Sequence, residues 1–158
     1  MGKRNRYVAL VLGAAIIALA VVPAAIGDGK QDLLRSGVAG STPAPDGPVL
    51  FGVSPGGKPW VADRHSSIRV ERDGDVRVKV RGLVIPVAPF NGTNPVATLA
   101  ASLVCNGMVV ATTDAVPFSP AGDASIRAEM DIPTPCLAPV VLLRPSAAPA
   151  APYIAASG

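Results

Sequence analysis

The most constraining feature of this 158-residue chain is a strict alternation of apolar and polar residues near its middle. The apolar set of the alternation is Ile68, Val70, Val76, Val78 and Val80. Successive side chains of a β-strand point to opposite faces of a sheet, so a period of two places this set on one face. The pattern predicts two strands of a sheet with one buried and one charged face.

The same alternation determines the length of the turn that joins these two strands. A two-residue Asp-Gly loop would place Val70 opposite Arg77 and so bring together side chains that belong to opposite faces. A three-residue loop, Arg72–Gly74, pairs Val70 with Val76 instead. The sequence therefore predicts a three-residue hairpin in which Gly74 is the left-handed residue of a G1 bulge.

Five further segments carry strand signals, and an Asn106-Gly107 turn joins the first two of them, with Cys105 expected opposite Met108 and Leu103 opposite Val110. The segments are residues 96–105, 108–113, 125–132, 140–143 and 153–156. About seven strands, spaced by about 10 to 15 residues without a helical stretch, predict a single antiparallel β-sandwich that is Ig-like in the loose sense. A small β-barrel is the alternative.

The N-terminus has the three-part pattern of a secretory signal peptide. The basic segment Met1–Arg6 precedes the apolar segment Tyr7–Ala25, and small residues precede an expected cleavage after Gly27. Pro23 would end a helix just before that site. The alternative is a retained anchor over Tyr7–Ile26, because this length borders on the roughly 20 residues that span a bilayer. We expect a secreted, extracellular protein, with a membrane-anchored form as the second choice.

The chain is expected to divide into a signal peptide (1–27), a flexible Pro/Gly-rich lead-in (28–59) and a β-sandwich domain (60–158). Residues 41–48 of the lead-in are rich in Pro, Gly and Ser, and such a stretch holds neither a helix nor a central strand. Within the lead-in, Asp32–Arg35 could form one helical turn, but the residues around it do not continue a helix.

The cysteine count is two, Cys105 and Cys136, and both follow the signal segment. An even number in an exported chain predicts one disulfide between them. Two free buried thiols are the alternative.

The charge distribution argues against nucleic acid as a partner. The formal net charge of +3 comes from Lys3, Arg4 and Arg6, and the chain beyond residue 27 carries equal numbers of basic and acidic residues. A nucleic-acid-binding domain normally has a clear basic excess. The partners we expect are a protein or a component of the cell envelope, with a membrane involved only through an uncleaved N-terminal segment.

The single histidine, His65, limits the available chemistry. Zinc and copper sites generally draw on several histidines, and Asp63 and Ser66 are sequence neighbours of His65 in an order that does not give triad geometry. We therefore predict a protein that is not an enzyme and has no catalytic residue, cofactor or metal site. A small secreted hydrolase that uses His65 is the alternative.

The hairpin concentrates charge, and its surface has two interpretations. The Asp73-Gly74-Asp75 segment has some character of a calcium loop, but it lacks the twelve-position ligand set of an EF-hand and is interpreted as a turn. The face as a whole is either an ordinary solvated strand surface or a cationic patch for an anionic cell-surface polymer or partner. Its charged residues are Arg64, Arg69, Arg72, Arg77, Lys79 and Arg81, with Asp63, Glu71, Asp73 and Asp75.

Four stretches of the chain resemble uncharacterised small secreted proteins of high-GC actinobacteria. These stretches are residues 55–61, 80–86, 101–105 and 135–141. The resemblance implies an exported single domain and carries no known activity. Together with the fold expectation, it favours an extracellular or cell-envelope binding or structural module.

Overall fold

The computed structural model describes residues 31–158, so the predicted signal peptide lies outside the described residues. Every strand or helix assigned in this range is a β-strand, and the range holds no helix long and apolar enough to cross a membrane. In chain order the strands are β1 (Asp32–Ser36), β2 (Val38–Gly40), β3 (Ser67–Glu71), β4 (Asp75–Val80), β5 (Thr98–Cys105), β6 (Met108–Thr112), β7 (Val116–Pro117), β8 (Ala124–Glu129), β9 (Val140–Arg144) and β10 (Ala155–Ser157).

The ten strands form two antiparallel sheets that pack face to face, which confirms the predicted β-sandwich. The four-stranded sheet has the order β1-β3-β4-β8. The second sheet has the order β2-β10-β9-β5-β6, and the short strand β7 pairs with β5. The strands expected from the sequence all occur, and β1, β2 and β7 are additional.

The main core lies between the two sheets. The alternating apolar residues of β3, β4 and β8 turn inward and meet the apolar residues of β5 and β9. Members of this core include Ile68, Val70, Val76, Val78, Ile126, Leu99, Leu103, Val141 and Leu143. The opposite face of β3, β4 and β8 therefore remains available to solvent, as the period of two predicts.

The three-residue hairpin between β3 and β4 is confirmed. Val70 lies opposite Val76, and Ile68 lies opposite Val78. Gly74 has a φ of 104°, in the left-handed region that favours glycine. Its amide donates a hydrogen bond to the carbonyl of Glu71 at 3.1 Å, which closes the turn.

The second hairpin follows its expected register only next to the turn. Cys105 lies opposite Met108 as expected, but an irregularity between Leu103 and Val104 places Leu103 opposite Ala111 rather than Val110. Nearly all of β5 is buried on both faces. Apolar residues therefore face each other in either register, and the alternation could not decide between them.

The prediction of a flexible lead-in is wrong for residues 32–40. Residues 32–36 form an edge strand on β3, and residues 38–40 pair with β10, so the chain joins both sheets within nine residues. The unsustained helical turn considered at Asp32–Arg35 does not form, because this segment belongs to β1. Leu34 lies opposite Val70 and packs on the core, and this tertiary contact outweighs local preference.

A later part of the lead-in covers the outer face of the second sheet. Val53 packs in a small apolar cluster with Val104, Leu142 and Tyr153. The Tyr153 hydroxyl donates a hydrogen bond to the carbonyl of Pro48 at 2.7 Å. This cover explains why β5 is buried on both faces.

The predicted disulfide between Cys105 and Cys136 is present. It ties the end of β5 to the segment that crosses from β8 in one sheet to β9 in the other. The Asn106 side chain strengthens the same link, because it donates to the carbonyl of Pro135 and accepts from the amide of Leu137. The bridge thus fixes the crossover between the two sheets.

Candidate functional site

The solvated face of the four-stranded sheet carries one arginine from each of its strands in a single row. Strand register places Arg35 opposite Arg69, Arg69 opposite Arg77, and Arg77 opposite Arg127. We call Arg35, Arg69, Arg77 and Arg127 the arginine row. Neighbouring strands lie about 4.8 Å apart, so the row extends over about 14 Å.

A parallel row of carboxylates lies one step further along the same face. Asp32 is opposite Glu71, Asp75 is opposite Glu129, and the β3–β4 register continues from Val70↔Val76 to bring Glu71 beside Asp75. We call Asp32, Glu71, Asp75 and Glu129 the acidic row. Arg69 contacts Asp32 and Glu71, Arg77 contacts Asp75 at 3.1 Å, and Arg35 contacts Asp32 at 3.7 Å.

Three cations in and beside the arginine row differ from the others in having no ion pair. Arg64, Lys79 and Arg127 are exposed, and none of them lies within ion-pair distance of a carboxylate of residues 31–158. Ser67 and Ser125 lie opposite Lys79 on either side. Lys79 is therefore flanked by hydroxyl groups and not by acids.

A groove of about 530 Å³ lies over this region of the sheet. Its six charged lining residues are all cationic: Arg35, Arg64, Arg69, Arg77, Lys79 and Arg127. Ser36, Ser66, Ser67 and Ser125 also line it. We call this feature the cationic groove.

The position of Arg64 at the groove depends on a compact turn before β3. Ser66 is buried, and its hydroxyl accepts from the amide of Arg81 at 2.9 Å and donates to the carbonyl of the same residue at 3.1 Å. The Ser66 amide donates to the carbonyl of Asp63 at 2.9 Å. These bonds pin residues 63–66 against the end of β4 and hold Arg64 beside the sheet.

His65 does not line this groove, and 70% of its side chain is exposed. Its Nδ1 lies 2.6 Å from Asp63 Oδ1, which also accepts a hydrogen bond from the His65 amide at 2.7 Å. Two hydrogen bonds hold the pKa of the Asp63 carboxyl below its usual range. The bond from the His65 backbone amide has the larger effect, and the bond from the imidazole has the smaller one. The neighbouring Ser66 hydroxyl is occupied by the Arg81 backbone, so the structure does not bring it to His65 as a nucleophile.

The charged residues expected on the hairpin face divide into groups in the structure. Arg64, Arg69, Arg77 and Lys79 line the cationic groove. Arg81 instead contacts Asp123 at 3.4 Å. The turn end of the face carries Glu71, Arg72, Asp73 and Asp75. Asp63 lies in the turn before β3.

Sequence reasoning missed two of the six cations, Arg35 and Arg127. Arg127 lies in the predicted strand segment 125–132, but no local signal showed that β8 pairs with β4. Arg35 fell within the expected lead-in. Both join the groove through long-range strand pairing.

The turn end of the face brings together one group of carboxylates close enough to share a metal ion. Oxygen atoms of Glu71, Asp73 and Asp75 lie within 4.8 Å of one another. Oxygen-only ligands of this type suit hard cations such as Ca²⁺ or Mg²⁺.

Comparison with protein-family models, with curated proteins and with solved structures finds no match to this chain.

Proposed function

We propose that this protein is an extracellular or cell-envelope binding module whose ligand is an anionic polymer held in the cationic groove. The observation that carries the proposal is a charged lining made up of six cations and no carboxylate. The export signal expected at the N-terminus and the disulfide between Cys105 and Cys136 support the extracellular assignment, because disulfides persist in oxidising compartments.

The cost of the arrangement supports a binding role. Like charges directly opposite each other in an antiparallel sheet are destabilising. The arginine row repeats this arrangement across three strand pairs, and only part of it is offset by the acidic row. A solvated face under no functional demand would be more stable with charges of alternating sign.

The chemistry of the groove suits sulfate, phosphate or carboxylate groups. Arginine presents a planar fork that binds such groups through two parallel hydrogen bonds, and lysine adds a point charge. Arg64, Lys79 and Arg127 need not break an ion pair to bind an anion. The hydroxyls of Ser67 and Ser125 lie beside Lys79 and can donate to the same anion.

The shape of the groove favours an extended polymer over a compact metabolite. The site lies on the open face of a sheet, and its cations follow a line across the strands. A chain with repeated negative groups can place successive charges along this line. We propose binding without catalysis, because the exposed His65 and the occupied Ser66 hydroxyl lie outside any shared catalytic geometry.

The test measures retention of the purified protein on immobilised dextran sulfate and, as a matched neutral polymer, on dextran. We expect binding to dextran sulfate alone, with an affinity that falls as salt rises, because counterions are released from the polymer on binding. Polyphosphate and poly-glutamate as soluble competitors identify which anionic group is preferred.

Two charge-matched variants locate the site. The double substitution Lys79→Gln with Arg127→Gln removes two unpaired groove cations, and we expect it to weaken binding about tenfold, equivalent to about 1.4 kcal/mol. Lys58→Gln with Arg72→Gln removes two exposed cations outside the groove and should leave the affinity within about twofold. Equal losses in the two variants would indicate attraction by overall charge and contradict the proposal.

A further inference from the structure

Glu71 is a buried carboxylate with an oxygen that lacks a hydrogen-bond partner. The residue is 2% exposed although it belongs to the solvated face of the four-stranded sheet. Its Oε1 lies 3.4 Å from Arg69 Nε, whereas its Oε2 has no hydrogen-bond partner among the described residues. A buried polar atom without a partner costs free energy, and in native proteins such an atom commonly marks a bound water or ion.

The neighbours of Glu71 add to the excess of negative charge. Carboxylate oxygens of Asp73 and Asp75 approach it to within 4.8 Å. The side chains come together because the three-residue turn places residues 71 and 75 side by side and Asp73 between them. Three carboxylates at this distance repel one another unless a cation lies among them.

The local arginines do not balance this charge. The acidic row and Asp73 together supply five carboxylates, and the ion pairs that reach them come from the three arginines Arg35, Arg69 and Arg77. Within the three-carboxylate group, Glu71 and Asp75 are paired with Arg69 and Arg77, whereas Asp73 has no ion pair among the described residues, so the group keeps a net negative charge.

We propose that the β3–β4 turn binds a Ca²⁺ ion through the carboxylates of Glu71, Asp73 and Asp75. The ligands are all oxygen atoms, which selects a hard cation, and Ca²⁺ accepts irregular coordination completed by water more readily than Mg²⁺ does. Glu71 Oε2 is the buried ligand, and Asp73 and Asp75 close the site from the solvent side. The site shares no residue with the cationic groove, although Glu71 and Asp75 are ion-paired with the groove residues Arg69 and Arg77, and it does not depend on the proposed function.

The experiment titrates the chelator-treated, full-length protein with CaCl₂ by calorimetry and follows thermal unfolding with CaCl₂ or with EDTA. We expect one Ca²⁺ per chain, with a dissociation constant in the range of about 0.1 to 1 mM that is usual for extracellular modules, and weaker binding of MgCl₂. Calcium should raise the unfolding temperature, because it binds only the folded arrangement of the three carboxylates.

Three variants test the assignment. Glu71→Gln and Asp73→Asn should each weaken Ca²⁺ binding by at least about tenfold. Loss of a residue that only supports a metal ligand already lowers metal affinity by about tenfold or more, and loss of a ligand should cost at least as much. Asp46→Asn removes an exposed carboxylate elsewhere and should bind Ca²⁺ as the wild type does. Asp73 is exposed at the turn, so its variant remains informative if Glu71→Gln does not fold.

Each result of these Ca²⁺ experiments either supports or overturns the site. Calcium-dependent heat and stabilisation that disappear in Asp73→Asn and persist in Asp46→Asn support the site. No heat and no thermal shift at 10 mM CaCl₂, a concentration about tenfold above the weakest expected dissociation constant, would overturn it. Binding that is unchanged in Asp73→Asn would overturn it equally.

Discussion

Arg77 of β4 and Arg127 of β8 lie directly opposite each other on the solvated face of the four-stranded sheet. Arg77 is paired with Asp75, whereas Arg127 has no ion-pair partner among the described residues. Two guanidinium groups in this position repel each other, so Arg127 adds to the positive potential of the groove and lowers the stability of the sheet.

Neutralising Arg127 should therefore stabilise the fold while it weakens anion binding. We expect Arg127→Gln to raise the free energy of unfolding by about 0.5 kcal/mol, within the range measured for cross-strand pairs. Arg72→Gln, which removes an exposed charge at the turn, serves as the control and should show no gain. Urea unfolding of both variants measures the difference. A loss of stability in Arg127→Gln would mean that this side chain makes a favourable contact.

Gly74 should tolerate no side chain. A Cβ added there would overlap the carbonyl oxygen of Met130, and the backbone has a φ of 104°. We expect Gly74→Ala to lower the free energy of unfolding by more than about 1 kcal/mol, because both strain and overlap oppose the alanine. Gly57→Ala is the matched control, since its added Cβ would meet no atom within 4 Å. Equal urea midpoints for the two variants would contradict the turn geometry.

The disulfide should account for a large share of the stability. It closes a loop with a sequence separation of 31 residues. A loop of that length corresponds to about 3 to 4 kcal/mol in the chain-entropy description. Thiol titration of the unfolded, unreduced protein should detect no free thiol, and reduction should lower the urea midpoint. Two reactive thiols before reduction would contradict the assignment.

Tyr153 gives the fold a dependence on alkaline pH. Burial raises the pKa of its phenol, and its hydroxyl donates to the carbonyl of Pro48 at 2.7 Å. The ionised phenol is thus disfavoured in the folded state. The stability that the neutral phenol contributes is complete below the unfolded pKa of about 10 and is lost as pH rises through the higher folded pKa.

Absorbance at 295 nm should show one tyrosine that ionises above the usual pH range, and Tyr153→Phe should remove that transition. The variant should also lose less stability than the wild type does between pH 9 and pH 11, the interval around the ordinary phenol pKa. The chain also contains Tyr7, so the Tyr153 transition is the one that the variant loses; if the lost transition lies at the ordinary phenol pKa, the Tyr153 phenol is accessible to water.

The alternation of Ile68 to Val80 was sufficient to predict two strands, their hairpin and its register. This succeeds because one face of the sheet is buried and the other is solvated, so a shift by one residue would expose the core. The same reasoning failed for Leu103, because β5 is buried on both faces and the pattern loses its information.

Two of the six groove cations, Arg35 and Arg127, could not be predicted for a different reason. They meet Arg69 and Arg77 only because β1, β3, β4 and β8 are neighbours in the sheet. Alternation shows which face a residue occupies but not which strand lies beside it. The burial of Glu71 was likewise invisible, since its position in the pattern predicts a solvated side chain.

Binding of an anionic polymer in the cationic groove can be observed residue by residue. The experiment is a titration of the ¹⁵N-labelled protein with a short dextran sulfate oligomer, followed by amide chemical shifts. We predict that the shifts concentrate at Ser67, Lys79, Ser125 and Arg127, while those of β6 on the other sheet stay unchanged. Shifts centred on the second sheet, or no shifts at low salt, would contradict the account.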